Sequence, residues 1–294
     1  MMKYIEKHPM IMIVVGVLGI SLSSIFVKFS TAPSAVTAAW RLLWTVVLMT
    51  PAVFGSKAVR QELWNIDRKT VILSAVSGLF LAVHFAVWFE SLRHTTVASS
   101  TTIVCTEVIW VSLGYWLFFK GKLTKKAICA IAVTLLGSVL IAWSDSASGG
   151  FHLYGDFLAL LAAIAVAVYT LLGRTVRENT STTVYTYLCY SACALVLLAM
   201  CAINGQHLLG YGIRAAVVGL LLSLFSTILG HSIFSWCLKY FSPSFVSASK
   251  LCEPVISAVI AMFLFGEIPV FWQIFGGGLI LAGVLYYSRI EGKQ

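Results

Sequence analysis

The sequence predicts an all-α polytopic membrane protein with ten transmembrane helices in two inverted five-helix repeats. Three observations predict it. Apolar runs of bilayer-spanning length, about 20 residues each, recur along the chain. Basic residues gather in alternate loops between those runs. The second half repeats features of the first at a fixed offset of 146 positions.

Composition sets the class. The chain has 294 residues, 60% of them hydrophobic and 11% charged, with a mean hydropathy of +0.94. Those values lie outside the range of soluble globular domains. A net charge of +9 points to nucleic acid only where basic residues share one soluble face. Here they recur in short loops, so nucleic acid is not an expected partner and the lipid bilayer is. The seven cysteines all lie in apolar runs without a CxxC spacing, which excludes a disulfide framework and a zinc site. Cys189 and Cys193, four apart, read as small hydrophobes.

The spans are expected near 10–29, 34–54, 71–92, 95–118, 127–143, 154–176, 184–203, 215–238, 243–265 and 270–287, numbered here as spans 1 to 10. Lys3 and Lys7 precede span 1, but that run is long and no small-x-small cleavage pattern follows it, so it reads as a retained span. With the N-terminus cytoplasmic, fifteen basic residues fall on the inner side. They are Lys3, Lys7, Lys57, Arg60, Arg68, Lys69, Lys120, Lys122, Lys125, Lys126, Arg174, Arg177, Lys239, Arg289 and Lys293. Only Arg93 and Arg214 fall outside, and Lys28, Arg41 and Lys250 lie within spans. The bias places both termini in the cytoplasm, in a membrane expected to be the bacterial cytoplasmic one.

The offset of 146 relates Glu107 to Glu253, Gly137 to Gly283, Lys28 to Arg174 and Arg93 to Lys239. It divides the chain into residues 1–146 and 147–294. Five spans per copy is an odd number, so the second copy enters the membrane upside down. Secondary transporters use this design, with the substrate near the midplane between the halves.

The most telling stretch is Lys250-Leu251-Cys252-Glu253-Pro254 in span 9. A charge at mid-membrane costs roughly 2.5–3.5 kcal/mol on insertion scales and so faces a partner or a watery cavity. Pro254 lacks an N–H and leaves the Lys250 carbonyl without its helical donor, which makes Pro254 the expected hinge. Lys250 and Glu253, three apart, are expected either to pair with each other or to wall a substrate path.

The other spans supply further candidates. On span 8, Ser223, Thr227, His231 and Ser235 recur every four residues as one polar stripe, facing either water or neighbouring helices. His84 and Trp88 are four apart on span 3, and His84 falls one position from the mate of His231. The two histidines are therefore placed to meet across a cavity, as hydrogen-bonded groups or as carriers of a coupling proton. On span 4, Glu107 follows Thr102 and Thr106; it either faces Glu253 and shares a proton or pairs with Lys250 or Arg41. Lys28, Arg41 and Glu90 are expected to form an outer ion-pair network or gate. Trp40 and Trp116 sit near span ends as anchors, whereas Trp88 and Tyr169 lie deeper and suit a ring or a cation. Ala159, Ala163 and Ala167 on span 6, and Gly278 with Ala282 on span 10, are small-residue packing faces.

A resemblance adds to this reading. The stretch from Leu92-Arg93-His94-Thr95 to Glu107, the Phe118-Phe119-Lys120-Gly121-Lys122-Leu123 turn and the Gly137 helix resemble the EamA repeat of the drug/metabolite transporter superfamily. Cys252-Glu253-Pro254, Phe265-Gly266-Glu267 and Leu281-Ala282-Gly283-Val284 resemble it more closely still. The resemblance implies alternating access around a cavity lined mainly by spans 1, 3, 4, 6, 8 and 9, with amino acids or related amphiphiles as cargo. The first copy departs from the pattern, because Val108 follows Glu107 where Pro254 follows Glu253, so one kinked half is expected.

The expected substrate site is His84, Trp88, Glu107, Tyr169, Thr227, His231, Lys250 and Glu253, with no catalytic residue, metal or cofactor. The expected function is transport, not enzymatic turnover: a zwitterion meets Lys250 through its carboxylate and Glu253 or Glu107 through its amine. An organic cation is the alternative cargo, and a channel or an intramembrane enzyme a remote one. Protons are the candidate coupling ion, and the protein acts as a monomer or a homodimer.

Overall fold

The computed structural model of the chain describes residues 9–119, 124–147, 153–266, 268 and 270–291. No strand occurs among them. Eight helical stretches are long and apolar enough to cross a membrane. They are Pro9–Lys28, Ser34–Gly55, Arg68–His94, Val97–Phe119, Tyr154–Arg177, Thr182–Ile203, Gly212–Cys237 and Pro243–Phe265. Helices Lys125–Ala147 and Phe271–Glu291 occupy the places of spans 5 and 10. The family-like residues Lys120, Gly121, Lys122, Leu123 and Glu267, and the basic residues Lys3, Lys7 and Lys293, lie outside the described residues.

Local chemistry sets several boundaries. Asp67 caps span 3, accepting from the Thr70 N–H at 2.9 Å and the Thr70 hydroxyl at 2.6 Å. The Thr70 hydroxyl and then its N–H hold the Asp67 carboxyl below the usual carboxylate range. Thr96 caps span 4 through the Ser99 N–H, and Ser242, 146 positions later, caps span 9 through the Phe245 N–H, with Pro243 at the first helical position.

The two halves are woven together. Spans 3 and 6 pack along much of their length, and so do their counterparts, spans 8 and 1. Span 2 packs on span 7, span 4 on span 9, and span 5 on span 10. Each of these contacts joins one half to the other. At the crossing of spans 5 and 10 the backbones themselves meet: a Cβ on Gly137 would lie 2.5 Å from the Gly276 carbonyl. A Cβ on Gly283, the mate of Gly137, would strike the Thr134 side chain and come within 3.0 Å of the Ala130 carbonyl. The expected Gly278 face is not at this crossing, since a Cβ there would meet nothing within 4 Å. Ala159, Ala163 and Ala167 are buried as a close-packing face requires.

Four spans depart from regular α-helix in their middle. Span 1 breaks at Leu22, between Pro9–Ser21 and Ser23–Lys28, and the freed Ser21 carbonyl accepts from the Ser257 hydroxyl of span 9 at 2.9 Å. Span 9 breaks just before Pro254, with a 3₁₀ turn over Lys250–Cys252 before helix Glu253–Phe265. The Lys250 carbonyl is taken up by the Cys105 thiol of span 4 at 3.7 Å.

Span 4 breaks at the matching place, which corrects the expectation of a single kinked half. Helix Val97–Val104 ends, Thr106 N–H bonds Ile103 at 3.0 Å, and a new helix runs Glu107–Phe119. Ser99-Ser100-Thr101-Thr102 precedes the break, and the Thr101 hydroxyl turns back to the Val97 carbonyl at 2.6 Å. Such hydroxyls compete with the helix ladder, which explains how the span breaks without a proline. Span 8 is π-helical over Leu222–Ser232. The Thr227 and Ser232 hydroxyls bond carbonyls five residues back, at 3.3 and 3.1 Å.

Candidate functional site

The four irregular stretches converge on one buried cavity of about 30 Å³. Ser23 lines it from span 1, Cys105 and Glu107 from span 4, His231 from span 8, and Lys250 and Glu253 from span 9. His84 and Trp88 of span 3 complete the polar and aromatic wall. The volume is room for one or two waters.

The electrostatics turn on four buried charges. Lys250 Nζ donates to Glu107 Oε1 at 2.8 Å, with both side chains under 10% exposed. Of the two pairings open to Lys250, the one with Glu107 is therefore made and the one with Glu253 is not. Lys250 reaches across to the other half, over the Phe234 ring at 5.2 Å. Glu253 stays buried, lines the cavity, and has no ion pair or hydrogen bond among the described residues. Glu107 and Glu253 each open a half-helix, where the positive end of the helix dipole favours a carboxylate.

Arg41 departs furthest from expectation. It is fully buried rather than in an outer network with Lys28 and Glu90. Its Nε donates to Thr227 Oγ1 at 2.6 Å, its Nη1 donates to Ser23 Oγ at 3.1 Å, and its guanidinium lies 4.0 Å from the Phe85 ring centre. Span 2 packs tightly against spans 7 and 8, which carries Arg41 into the interior. Glu90 instead accepts from the Ser34 hydroxyl at 2.7 Å and contacts His94 Nε2 at 3.0 Å. Lys28 lies 6.0 Å from the Phe265 ring centre.

The ring cluster is assembled as the spacing suggests. His84 and His231 stand with ring centres 6.3 Å apart, and His84 stacks on Trp88 at 5.7 Å. His84 Nδ1 meets the Ala162 carbonyl at 3.0 Å, so that nitrogen carries the hydrogen. His231 also faces Phe85 at 5.2 Å and Tyr169 at 5.9 Å. The Tyr169 hydroxyl is used by Ser235 at 2.9 Å. Trp88 is buried and its Nε1 makes no hydrogen bond among the described residues.

All four stripe residues of span 8 face inward, but onto different partners. Ser223 accepts from Thr45 at 2.8 Å, Thr227 holds Arg41, His231 lines the cavity and Ser235 meets Tyr169. Ser23 and Cys105 are cavity residues that the sequence reading did not single out for a role. Ser23 had a signal, the Ser21-Leu22-Ser23-Ser24 cluster inside an apolar span; Cys105 had its place two residues before Glu107.

Hydrogen bonds cross-link the helices toward both ends of the bundle. At one end Arg93 Nη2 donates to the Ala32 carbonyl at 2.8 Å and the Thr95 hydroxyl donates to Asp156 at 3.2 Å. At the other, Ser77 and Tyr185 hydroxyls meet at 2.8 Å, Arg177 Nε donates to the Ser235 carbonyl at 3.1 Å, and Arg174 donates to the Leu238 carbonyl.

Comparison with known proteins gives one consistent result. The model of the EamA-like transporter family matches twice, over residues 8–143 and 153–289. An uncharacterized transporter of Bacillus subtilis, YxxF, is 24% identical over 290 residues, covering 98% of this chain and 90% of the relative. An uncharacterized transporter of Synechocystis, sll1319, is 22% identical, covering 94% of this chain and 86% of its own. A probable 4-amino-4-deoxy-L-arabinose-phosphoundecaprenol flippase subunit, ArnE of Hamiltonella defensa, is 28% identical over 102 residues, covering 34% of this chain and 92% of the subunit. A solved crystal structure shares the fold, with a TM-score of 0.75 at 16% identity over 98% of both chains.

Proposed function

We propose that this chain, which belongs to the EamA-like transporter family, is a secondary carrier for a small organic metabolite bearing a protonated amine, an amino acid or related zwitterion foremost. The observation that carries the reading is Glu253, a buried carboxylate that lines the cavity with no cation bonded to it. A buried charge of this kind is costly unless a partner arrives, and an ammonium is the partner its chemistry prefers. Trp88, stacked on His84, lines the same space with a ring face that favours a cation, while Tyr169 stands against His231 and does not line it. Lys250 and Glu107 neutralise each other and act as a clasp between the halves.

The two family matches, the 146-residue offset and the reciprocal packing of spans support two inverted repeats rocking about the cavity. The matched breaks in spans 4 and 9 give each repeat a flexible point beside the site. The basic residues support cytoplasmic termini in a bacterial cytoplasmic membrane. Glu253 and the facing histidines support protons as the coupling ion, since a carboxylate that releases an ammonium inside a bilayer is neutralised by a proton. The rival cargo, a plain organic cation, is favoured by the same rings and the same carboxylate. The amine in the name of the ArnE relative's cargo is in keeping with either.

A thermal-shift panel on purified protein in detergent tests the reading. Amino acids, quaternary amines and organic phosphates are compared at one pH. A bound ligand at about a hundred times its dissociation constant adds roughly 2.7 kcal/mol. Stabilisation by amine-bearing ligands, lost in Glu253→Gln, is the expected result; stabilisation by phosphates alone contradicts it.

A further inference from the structure

We infer that Arg41, and not Lys250, receives the carboxylate of the substrate, so that the cargo is a zwitterion held between Arg41 and Glu253. The inference deepens the proposed function and rests on it.

Of the two buried cations near the cavity, Lys250 is already spent on Glu107 at 2.8 Å. Arg41 is 0% exposed, yet the groups that meet it are neutral: the Thr227 hydroxyl, the Ser23 hydroxyl and the faces of Phe85 and Phe89. Its Nη2 makes no hydrogen bond among the described residues. No carboxylate lies within ion-pair distance of it among those residues. A guanidinium buried without an anion is a costly arrangement, and its flat donor edge matches a carboxylate in two parallel hydrogen bonds. Lys250 offers only a point charge.

The position suits the role. Ser23, which holds Nη1, is itself a wall residue of the cavity and stands just beyond the break of span 1 at Leu22. Thr227, which holds Nε, lies one turn before the wall residue His231 on the π-helical run. Arg41 therefore stands one side chain behind the wall, screened by Ser23 in this form. Movement of span 1 about Leu22 carries Ser23 aside and presents the guanidinium to the cavity. The unpaired cation belongs to the first half and the unpaired carboxylate, Glu253, to the second. A molecule with one carboxylate and one ammonium satisfies both, and bridging them ties the halves together around the cargo.

The test uses the full-length protein in detergent at about pH 6 with natural amino acids and their methyl esters, which at that pH keep the ammonium and lose the carboxylate. Apparent dissociation constants come from the dose dependence of the melting shift. Wild type is expected to prefer the free acid by about tenfold or more, the worth of a charged hydrogen bond. Arg41→Gln is expected to bring the ratio of ester to acid close to one. Arg41→Lys, which keeps the charge and loses the fork, serves where the glutamine variant does not fold; it is expected to reduce the ratio. An acid preference that survives in the Arg41 variants and vanishes in Lys250→Met overturns the inference and leaves the zwitterion reading standing. Wild type that binds ester as tightly as acid overturns both and identifies an organic cation as cargo. Wild type that responds to neither acid nor ester also overturns both.

Discussion

Lys250 and Glu107 illustrate how a buried pair costs more when broken than it contributes when made. Replacing both with apolar groups is often neutral, whereas removing one strands the other at a cost of about 3–5 kcal/mol. Lys250→Met is therefore expected to lower the melting temperature sharply, and Lys250→Met with Glu107→Leu to recover most of the loss. Equal losses in the single and double variants would show that the pair is not coupled. Glu253 behaves differently, because no cation is bonded to it. Glu253→Gln is expected to leave the protein folded while abolishing or uncoupling transport, measured as exchange in proteoliposomes across a wide pH range. Full exchange in that variant at every pH removes Glu253 from the mechanism. The charged residues were all visible in the sequence as costly intramembrane groups, but their partners were not. The sequence left Lys250 open to Glu253, three residues on, and to Glu107 of span 4; the crossing of spans 4 and 9 decides for Glu107, and crossing geometry is a property of packing.

At the scale of the element, the breaks in spans 4 and 9 are the instructive pair. Pro254 announced one of them, and the Ser99–Thr102 hydroxyl run is the quieter signal of the other. Because span 4 breaks without proline, the break is held by hydroxyls and by contacts between the halves, including the Cys105 thiol on the Lys250 carbonyl. Pro254→Ala is then expected to keep the break and to change stability by no more than about 1 kcal/mol, the usual worth of a compatible proline. Retained exchange in that variant supports this; a collapse of exchange with an unchanged melting temperature would return the hinge to Pro254 itself. The span 8 stripe was legible by its spacing of four, whereas the π-helical winding was not, since residues four apart share a face in either form. Span 5 meets span 10 through Gly137 and Gly283, so Gly283→Leu is expected to destabilise by about 1–3 kcal/mol through overpacking, read as a lower melting temperature. An unchanged melting temperature would mean that the crossing is looser than the backbone contact implies.

The whole molecule joins two halves through contacts that pair span 1 with 8, 2 with 7, 3 with 6, 4 with 9 and 5 with 10. The all-helical architecture was legible from apolar run length, because the bilayer leaves helices few alternatives, and the family from the resemblance carried by stretches such as Cys252-Glu253-Pro254 and Leu281-Ala282-Gly283-Val284. The position of Arg41 was not legible, since hydropathy places a span and leaves its rotation to packing. The proposed carrier binds its cargo from each side in turn, around a cavity of about 30 Å³ in this state. Counterflow in proteoliposomes tests that claim most directly: vesicles loaded with excess unlabelled amino acid and diluted into labelled amino acid. A saturable overshoot of label inside the vesicles, absent in Glu253→Gln, is the expected result. A flux that rises linearly with concentration and ignores the amino acid on the far side would contradict it.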